Sequence, residues 1–141
     1  MEPRVSIVTL GVSDLDRAKA FYEALGLKPG MVVEGDVAFF QMGGLILGLW
    51  MREKLAADIG SDGFAGGPAP VALAYNTRSE AEVDALLARA EKAGGRVVKP
   101  AQKAFYGGWY GYFADPDGHL WEIAHNPGFP LDEEGRISLP A

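Results

Sequence analysis

The chain reads as one short pattern used twice, and that repetition restricts the fold more than any other feature. Val5 to Leu10 is a β-branched run that predicts a strand. Leu15, Ala18, Tyr22 and Leu25 follow at helical spacing. Ser13 stands as their N-cap, with Asp14 and Asp16 in the first turn, and Gly26 stops the helix. Met31 to Glu34, Val37 to Met42 and Leu45 to Met51 read as strands, the last two joined by a Gly43-Gly44 hairpin. Lys54 to Pro70 has no sustained period and reads as a linker.

The order then returns. Val71 to Tyr75 predicts a strand, and Ser79-Glu80-Ala81-Glu82 is a capping box for a helix whose apolar face is Val83, Leu86, Leu87 and Ala90. Gly94-Gly95 ends it, and Arg96 to Lys99 is the next strand. Tyr110 to Ala114 and His119 to Ala124 flank an Asp117-Gly118 turn. The sequence echoes the repeat: Ile7-Val8-Thr9-Leu10 matches Pro70-Val71-Ala72-Leu73, Val32-Val33 matches Val97-Val98, and Gly44 to Leu49 matches Gly118 to Ile123. An offset of about 65 to 74 residues is a duplicated supersecondary module, not a solenoid repeat. The expected architecture is therefore α+β: two βαβββ modules at about 4–53 and 70–126, a linker at 54–69, and an irregular tail at 127–141.

Composition narrows the chemistry. Zero Cys excludes disulfides, thiolate ligands and cysteine nucleophiles, and two His cannot build a three-His zinc site within one chain. A net charge of −6 argues against nucleic acid, whose phosphates need a basic patch. The longest apolar stretch, Val37 to Met51, is broken by Gln41, Gly43, Gly44 and Gly48 and falls short of the roughly 20 residues that span a bilayer. The N-terminus lacks a signal-peptide layout, so no membrane partner is expected and the expected compartment is the cytoplasm. Gly43-Gly44 and Gly107-Gly108 are not phosphate loops, and Ser13 and Ser79 are caps rather than nucleophiles.

The duplicated order resembles the vicinal oxygen chelate superfamily of glyoxalase, bleomycin resistance and dioxygenase proteins. Two motifs carry the likeness. One is Val8-Thr9-Leu10-Gly11-Val12-Ser13-Asp14-Leu15 with Ala20-Phe21-Tyr22 and Leu25-Gly26-Leu27. The other is Phe113-Ala114-Asp115-Pro116-Asp117-Gly118-His119-Leu120-Trp121-Glu122-Ile123. The resemblance implies a U-shaped mixed-sheet cleft with helices outside, and commonly a homodimer. It also implies metal donors, one from each of four strands, at the positions of Ile7, Gly48, Pro70 and Glu122. Only Glu122 can ligate, and a one-residue slip would turn each side chain to the opposite face. One carboxylate does not hold a divalent ion well. No metal or other cofactor is expected, and a metal-dependent reading needs donors from elsewhere.

Strand alternation sorts the rest. With Glu122 toward the cleft, Leu120 and Ala124 share its face, as do Ile46, Gly48 and Trp50 in the first module, with Ile7 and Thr9. That is an apolar trough with one carboxylate, suited to an apolar or aromatic ligand with one oriented polar contact. The candidate ligand-binding residues are Trp50, Thr9, Ile46, Tyr106, Trp109, Tyr110 and Leu120, and the candidate catalytic residue is Glu122. Glu122 reads as a low-dielectric acid or base or partner of a cationic ligand, or as a relic position now solvated. Trp50 reads as a stacking wall or as core. Phe105 to Tyr112 reads as a flap hinged at Gly107 and Gly108, or as a tight strand entry. His119 beside a turn reads as structural or solvent-facing. His125, an odd step from Glu122, belongs to the opposite face of a regular strand, and only a bulge would bring it round to pair with Glu122 at a metal.

These readings converge on a glyoxalase- or bleomycin-resistance-like protein binding a small, partly aromatic or apolar ligand without the usual metal. Two alternatives stay open: a metal-dependent lyase, isomerase or dioxygenase of the lactoylglutathione lyase type, and a metal-free acid–base enzyme using Glu122.

Overall fold

Alternation along the strands gives each sheet two distinct faces, one of them covered by the helix that follows its first strand. The computed structural model describes residues 1, 3–60 and 71–138, and the chain divides into two compact units, Met1–Pro70 and Val71–Ala141. The first contains β1 (Ile7–Val12), α1 (Leu15–Ala24), β2 (Pro29–Val33), β3 (Val37–Met42), β4 (Leu45–Met51) and α2 (Arg52–Ile59). The second contains β5 (Ala72–Asn76), α3 (Glu80–Lys92), β6 (Arg96–Lys103), β7 (Trp109–Ala114) and β8 (Leu120–His125). Their sheets have the orders β1-β4-β3-β2 and β5-β8-β7-β6. In each, the first strand runs parallel to the last and the remaining pairs are antiparallel. The fold is α+β with two tandem βαβββ modules, as the repeat predicts.

α1 and α3 each bury an apolar stripe on their own sheet. Leu15, Ala18, Phe21 and Tyr22 of α1 are buried, as are Leu10, Val12, Ala38, Phe40, Leu47 and Leu49 of the sheet, and α1 packs on β3 and β4. The rings of Tyr22 and Phe40 lie 6.2 Å apart. In the second unit Val83, Leu87 and Ala90 of α3 are buried, with Phe113, Trp121 and Ile123 from the strands, and Phe113 and Trp121 stack at 6.3 Å. Fully burying one such side chain stabilises by about 1.5–3 kcal/mol, so these stripes dominate each unit's stability.

Several local expectations need correcting. Asp14, not Ser13, caps α1: its Oδ1 accepts from the Arg17 amide at 3.0 Å. Both residues can cap, and the register that buries Leu15 and Ala18 chooses between them. Phe21 takes the place expected of Leu25, which has become the C-cap residue. Ser79 Oγ accepts from the Glu82 amide, but the Glu82 carboxylate accepts from the Arg78 amide rather than from that of Ser79, so the box closes one residue early.

The expected linker begins with a helix instead. Arg52–Ile59 is built from helix-favouring residues, but eight residues make too few turns for a period to show. Its Leu55 packs against Gly11, 3.5 Å from where a Cβ would stand. The rest of that linker, 61–70, lies outside the described residues, and Pro70 with it. β6 continues through Pro100 to Lys103 because it is an edge strand with register shifts, where a missing N–H is tolerated. The described part of the tail, 127–138, is mostly irregular, with a bridge between Leu131 and Ile137 and Arg78 donating to the carbonyls of Asp132 and Glu133.

Gly111 shows how closely α3 approaches its sheet. A Cβ there would lie 2.7 Å from Leu87 Cδ1 and 2.7 Å from the Lys99 carbonyl oxygen. Gly111→Ala is expected to cost about 1–3 kcal/mol by overpacking. The measurement is urea unfolding, in which the midpoint falls with the slope unchanged.

Candidate functional site

The two sheets differ most on the faces turned away from α1 and α3. In the first unit that face carries Ile7, Thr9, Ile46 and Trp50, with Phe39 beside Gly48. Trp50 is half-buried, and its indole N–H donates to Asp36 Oδ1 at 3.0 Å. Lys54 of α2 binds the same oxygen at 2.7 Å. Trp50 is thus tied to the turn before β3 and to α2.

The corresponding face of the second unit is a wall of tyrosines around a carboxylate. Tyr112 and Glu122 are register partners on β7 and β8, and Tyr112 Oη donates to Glu122 Oε2 at 3.2 Å. Tyr110, two residues back on the same face, accepts from Lys99 Nζ at 2.5 Å and from Gln102 Nε2 at 3.4 Å. The rings of Tyr106 and Tyr110 are 6.4 Å apart, and those of Tyr110 and Tyr112 meet edge-on at 6.2 Å. The hydrogen bonds from Lys99 and Gln102 hold the Tyr110 phenol below its usual range. Burial, then the Glu122 charge, pushes Tyr112 up, and burial with Glu122 does the same to Tyr106. Neighbouring tyrosines are therefore polarised in opposite directions.

The expected residues separate accordingly. Thr9, Ile46 and Trp50 lie in the first unit; Tyr106, Tyr110, Leu120 and Glu122 lie in the second. Trp109 does not join them. Alternation turns it to the α3 side, where its indole donates to Asp84 Oδ1 at 2.8 Å. Trp109 and Tyr110 are both expected at the site, but adjacent residues of a regular strand cannot share a face. Tyr112, Lys99 and Gln102 were not anticipated. Tyr112 was legible from its even spacing to Tyr110; Lys99 and Gln102 were not, because the register shifts in β6 break the alternation.

The segment before β7 forms a tight turn. The Ala104 amide bonds the Gly108 carbonyl at 2.8 Å, and Gly107 takes φ +89°. Gly108 is buried where a Cβ would meet the Tyr106 ring and, at 2.5 Å, the His125 carbonyl. His125 Nδ1 lies 3.3 Å from the Thr77 carbonyl. His119 sits at the Asp115 turn, its amide donating to Asp115 Oδ1 at 2.8 Å.

The metal that the resemblance implies does not fit these residues. Thr9 pairs with Gly48 and Ala74 with Glu122, so Ala72 holds the register position of Ile7, two residues after the expected Pro70. A two-residue shift keeps the face and still supplies no donor. At Gly48 a Cβ would stand 3.2 Å from the Phe39 ring, so the ring fills the space where a ligating side chain would begin. Among the described residues no three His, Asp or Glu side chains gather to hold a metal ion, and Glu122 alone is an inadequate donor set.

Asp36 yields a prediction. The Lys54 and Trp50 hydrogen bonds hold its carboxyl below the usual range. A depressed folded-state value stabilises the protein above the unfolded-state value, and that contribution is lost as pH falls through the folded one. Asp36→Asn is expected to lower the melting temperature at neutral pH, with the difference from wild type closing in strong acid. Thermal melts across that range check it.

Comparison with known proteins agrees with the fold. The profile of the Glyoxalase/Bleomycin resistance protein/Dioxygenase superfamily matches residues 4–123. A protein of Shouchella clausii (strain KSM-K16), the metallothiol transferase FosB, is 28% identical over 120 residues, covering 84% of this chain and 77% of that protein. The crystal structure of a glyoxalase-related enzyme from Fulvimarina pelagi is similar with a TM-score of 0.88 and 37% identity over 99% of both chains. That of a lactoylglutathione lyase from Agrobacterium tumefaciens has a TM-score of 0.68, covers 89% of this chain and 95% of its own, and at 24% identity shows a shared fold alone. Among the described residues no helix is long and apolar enough to cross a membrane. By sequence and by fold, the chain belongs to the Glyoxalase/Bleomycin resistance protein/Dioxygenase superfamily.

Proposed function

We propose that this protein binds a small, partly aromatic ligand on the face bearing Glu122, without the four-donor metal site of its family. One observation carries the reading: Glu122, the lone candidate donor at those positions, accepts a hydrogen bond from Tyr112 within a wall of three tyrosines. Aromatic rings supply stacking area and attract cations, and a carboxylate orients a cationic or hydrogen-bond-donating group. The net charge of −6 favours approach of a cation. Leu120 adds an apolar edge to this face, while Thr9, Ile46 and Trp50 would line an apolar one in the first unit. The working form we expect is a cytoplasmic homodimer.

The test uses bleomycin as a cationic probe with planar rings, titrated against intrinsic fluorescence with and without EDTA. Saturable quenching that EDTA does not alter is expected. Glu122→Gln should weaken it about tenfold or more, as loss of a charged hydrogen-bond partner costs about 1.5–3 kcal/mol. Absence of quenching, or equal binding by the variant, overturns the reading.

A second reading is a metal-dependent transferase, lyase or dioxygenase, favoured by the similarity to a metallothiol transferase. Elemental analysis after reconstitution with Mn, Fe, Ni or Zn separates the two. The first reading expects substoichiometric metal with unchanged probe binding; one equivalent of metal per chain, released by Glu122→Gln, supports the second.

A further inference from the structure

The stacking role given to Tyr110 above does not use its contact with Lys99, whose chemistry is specific. Tyr110 Oη accepts from two donors, one of them a cation: Lys99 Nζ at 2.5 Å and Gln102 Nε2 at 3.4 Å. The same ammonium stands 4.5 Å from the centre of the Tyr110 ring, so it favours negative charge on both the oxygen and the ring. A neutral phenol would still have to place its own proton, whereas a phenolate accepts every donor offered. The groups facing Tyr110 are Lys99 and Gln102 from β6, Tyr112 from β7, Tyr106 from the turn before it, and Glu122 from β8. Lys99 is the one cation among them. Glu122, whose charge opposes ionisation of Tyr110, is engaged by the Tyr112 hydroxyl.

We propose that Tyr110 is a proton acceptor in this site, held ready by Lys99 as a positioning residue, and that its substrate is a planar, conjugated carbon acid seated against the tyrosine wall. In the step, Tyr110 phenolate takes the proton from a C–H bond. The C–H electron pair stays with the substrate, as an enolate or in expelling a leaving group, and Tyr110 becomes a neutral phenol that returns its proton to product or water. No oxidant, reductant or metal enters the balance. The proposal rests on the reading that a ligand occupies this face, and it goes beyond that reading by assigning a reaction class and a base other than Glu122.

Two measurements test it. The first needs no ligand: phenolate absorbance near 295 nm is followed against pH in the intact protein. One of the five tyrosines is expected to ionise ahead of the rest. Tyr110→Phe should remove that early step, and Lys99→Met should move it up toward the others. The second uses 5-nitrobenzisoxazole, a planar carbon acid. Removal of its C3 proton forms the nitrile as the N–O bond breaks, releasing a coloured phenolate. A protein-dependent rate that rises with the early tyrosine step is expected, falling about 10²-fold or more in Tyr110→Phe, the usual scale for a positioned base. Circular dichroism confirms that the variants fold, and Lys99→Met supplies the pH-profile shift if Tyr110→Phe does not fold. Tyrosines that ionise together, or a probe rate equal in wild type and Tyr110→Phe, overturn the proposal. Failure here with EDTA-insensitive bleomycin binding intact refutes the base and leaves the binding reading standing. Loss of bleomycin binding with the early tyrosine step retained refutes the binding reading instead.

Discussion

Parallel pairing of the first and last strand in each module is the constraint on which the rest depends. It places β4 and β8 inside their sheets, between a parallel and an antiparallel neighbour. A strand so placed is bonded along both edges, so its side chains have only two places to go: toward the helix or away from it. Leu47 and Leu49, like Trp121 and Ile123, go toward the helix and are buried. Gly48 and Glu122 go the other way, at matching positions of the two copies. What each copy places beside them decides its chemistry.

The copies have diverged at that point. Phe39 opposes Gly48 in one sheet and Tyr112 opposes Glu122 in the other. The first pair is apolar, and the phenyl ring fills the space beside the missing side chain. The second is a phenol donating to a carboxylate, with a second phenol next to it receiving from an ammonium. A hydroxyl added to one ring and a carboxylate added opposite it turn an apolar face into one that can orient a ligand and hold a proton. The chemistry is concentrated in the second module, on a scaffold the two share.

How much of this was legible before the fold varies residue by residue. Strand and helix periods are local, so β3, β4 and α3 could be read from spacing alone. α2 could not: eight residues give too short a period, and its place depends on Leu55 finding Gly11. Asp14 replaced Ser13 as cap because burial of Leu15 set the register. Within the candidate site, Glu122 was legible from its motif and strand parity, and Tyr110 from the aromatic cluster. The aromatic composition of 105–112 points to Trp109 as well, but composition ignores alternation. Lys99 was hidden because the register shifts in β6 remove the parity that would have placed it.

The sequence by itself determined the duplicated βαβββ order and the face of each regular strand. Those properties follow from residue identity and from periods of two and 3.6, which need no knowledge of distant neighbours. Tertiary structure alone decided that Lys99 reaches Tyr110, that Tyr112 reaches Glu122, that Trp50 bonds Asp36, and that Phe39 closes the space at Gly48. Each joins residues on different strands or turns, and their spacing depends on pairing register and bulges. A hydrogen bond forms or fails within a few tenths of an ångström, a tolerance that no sequence period can specify.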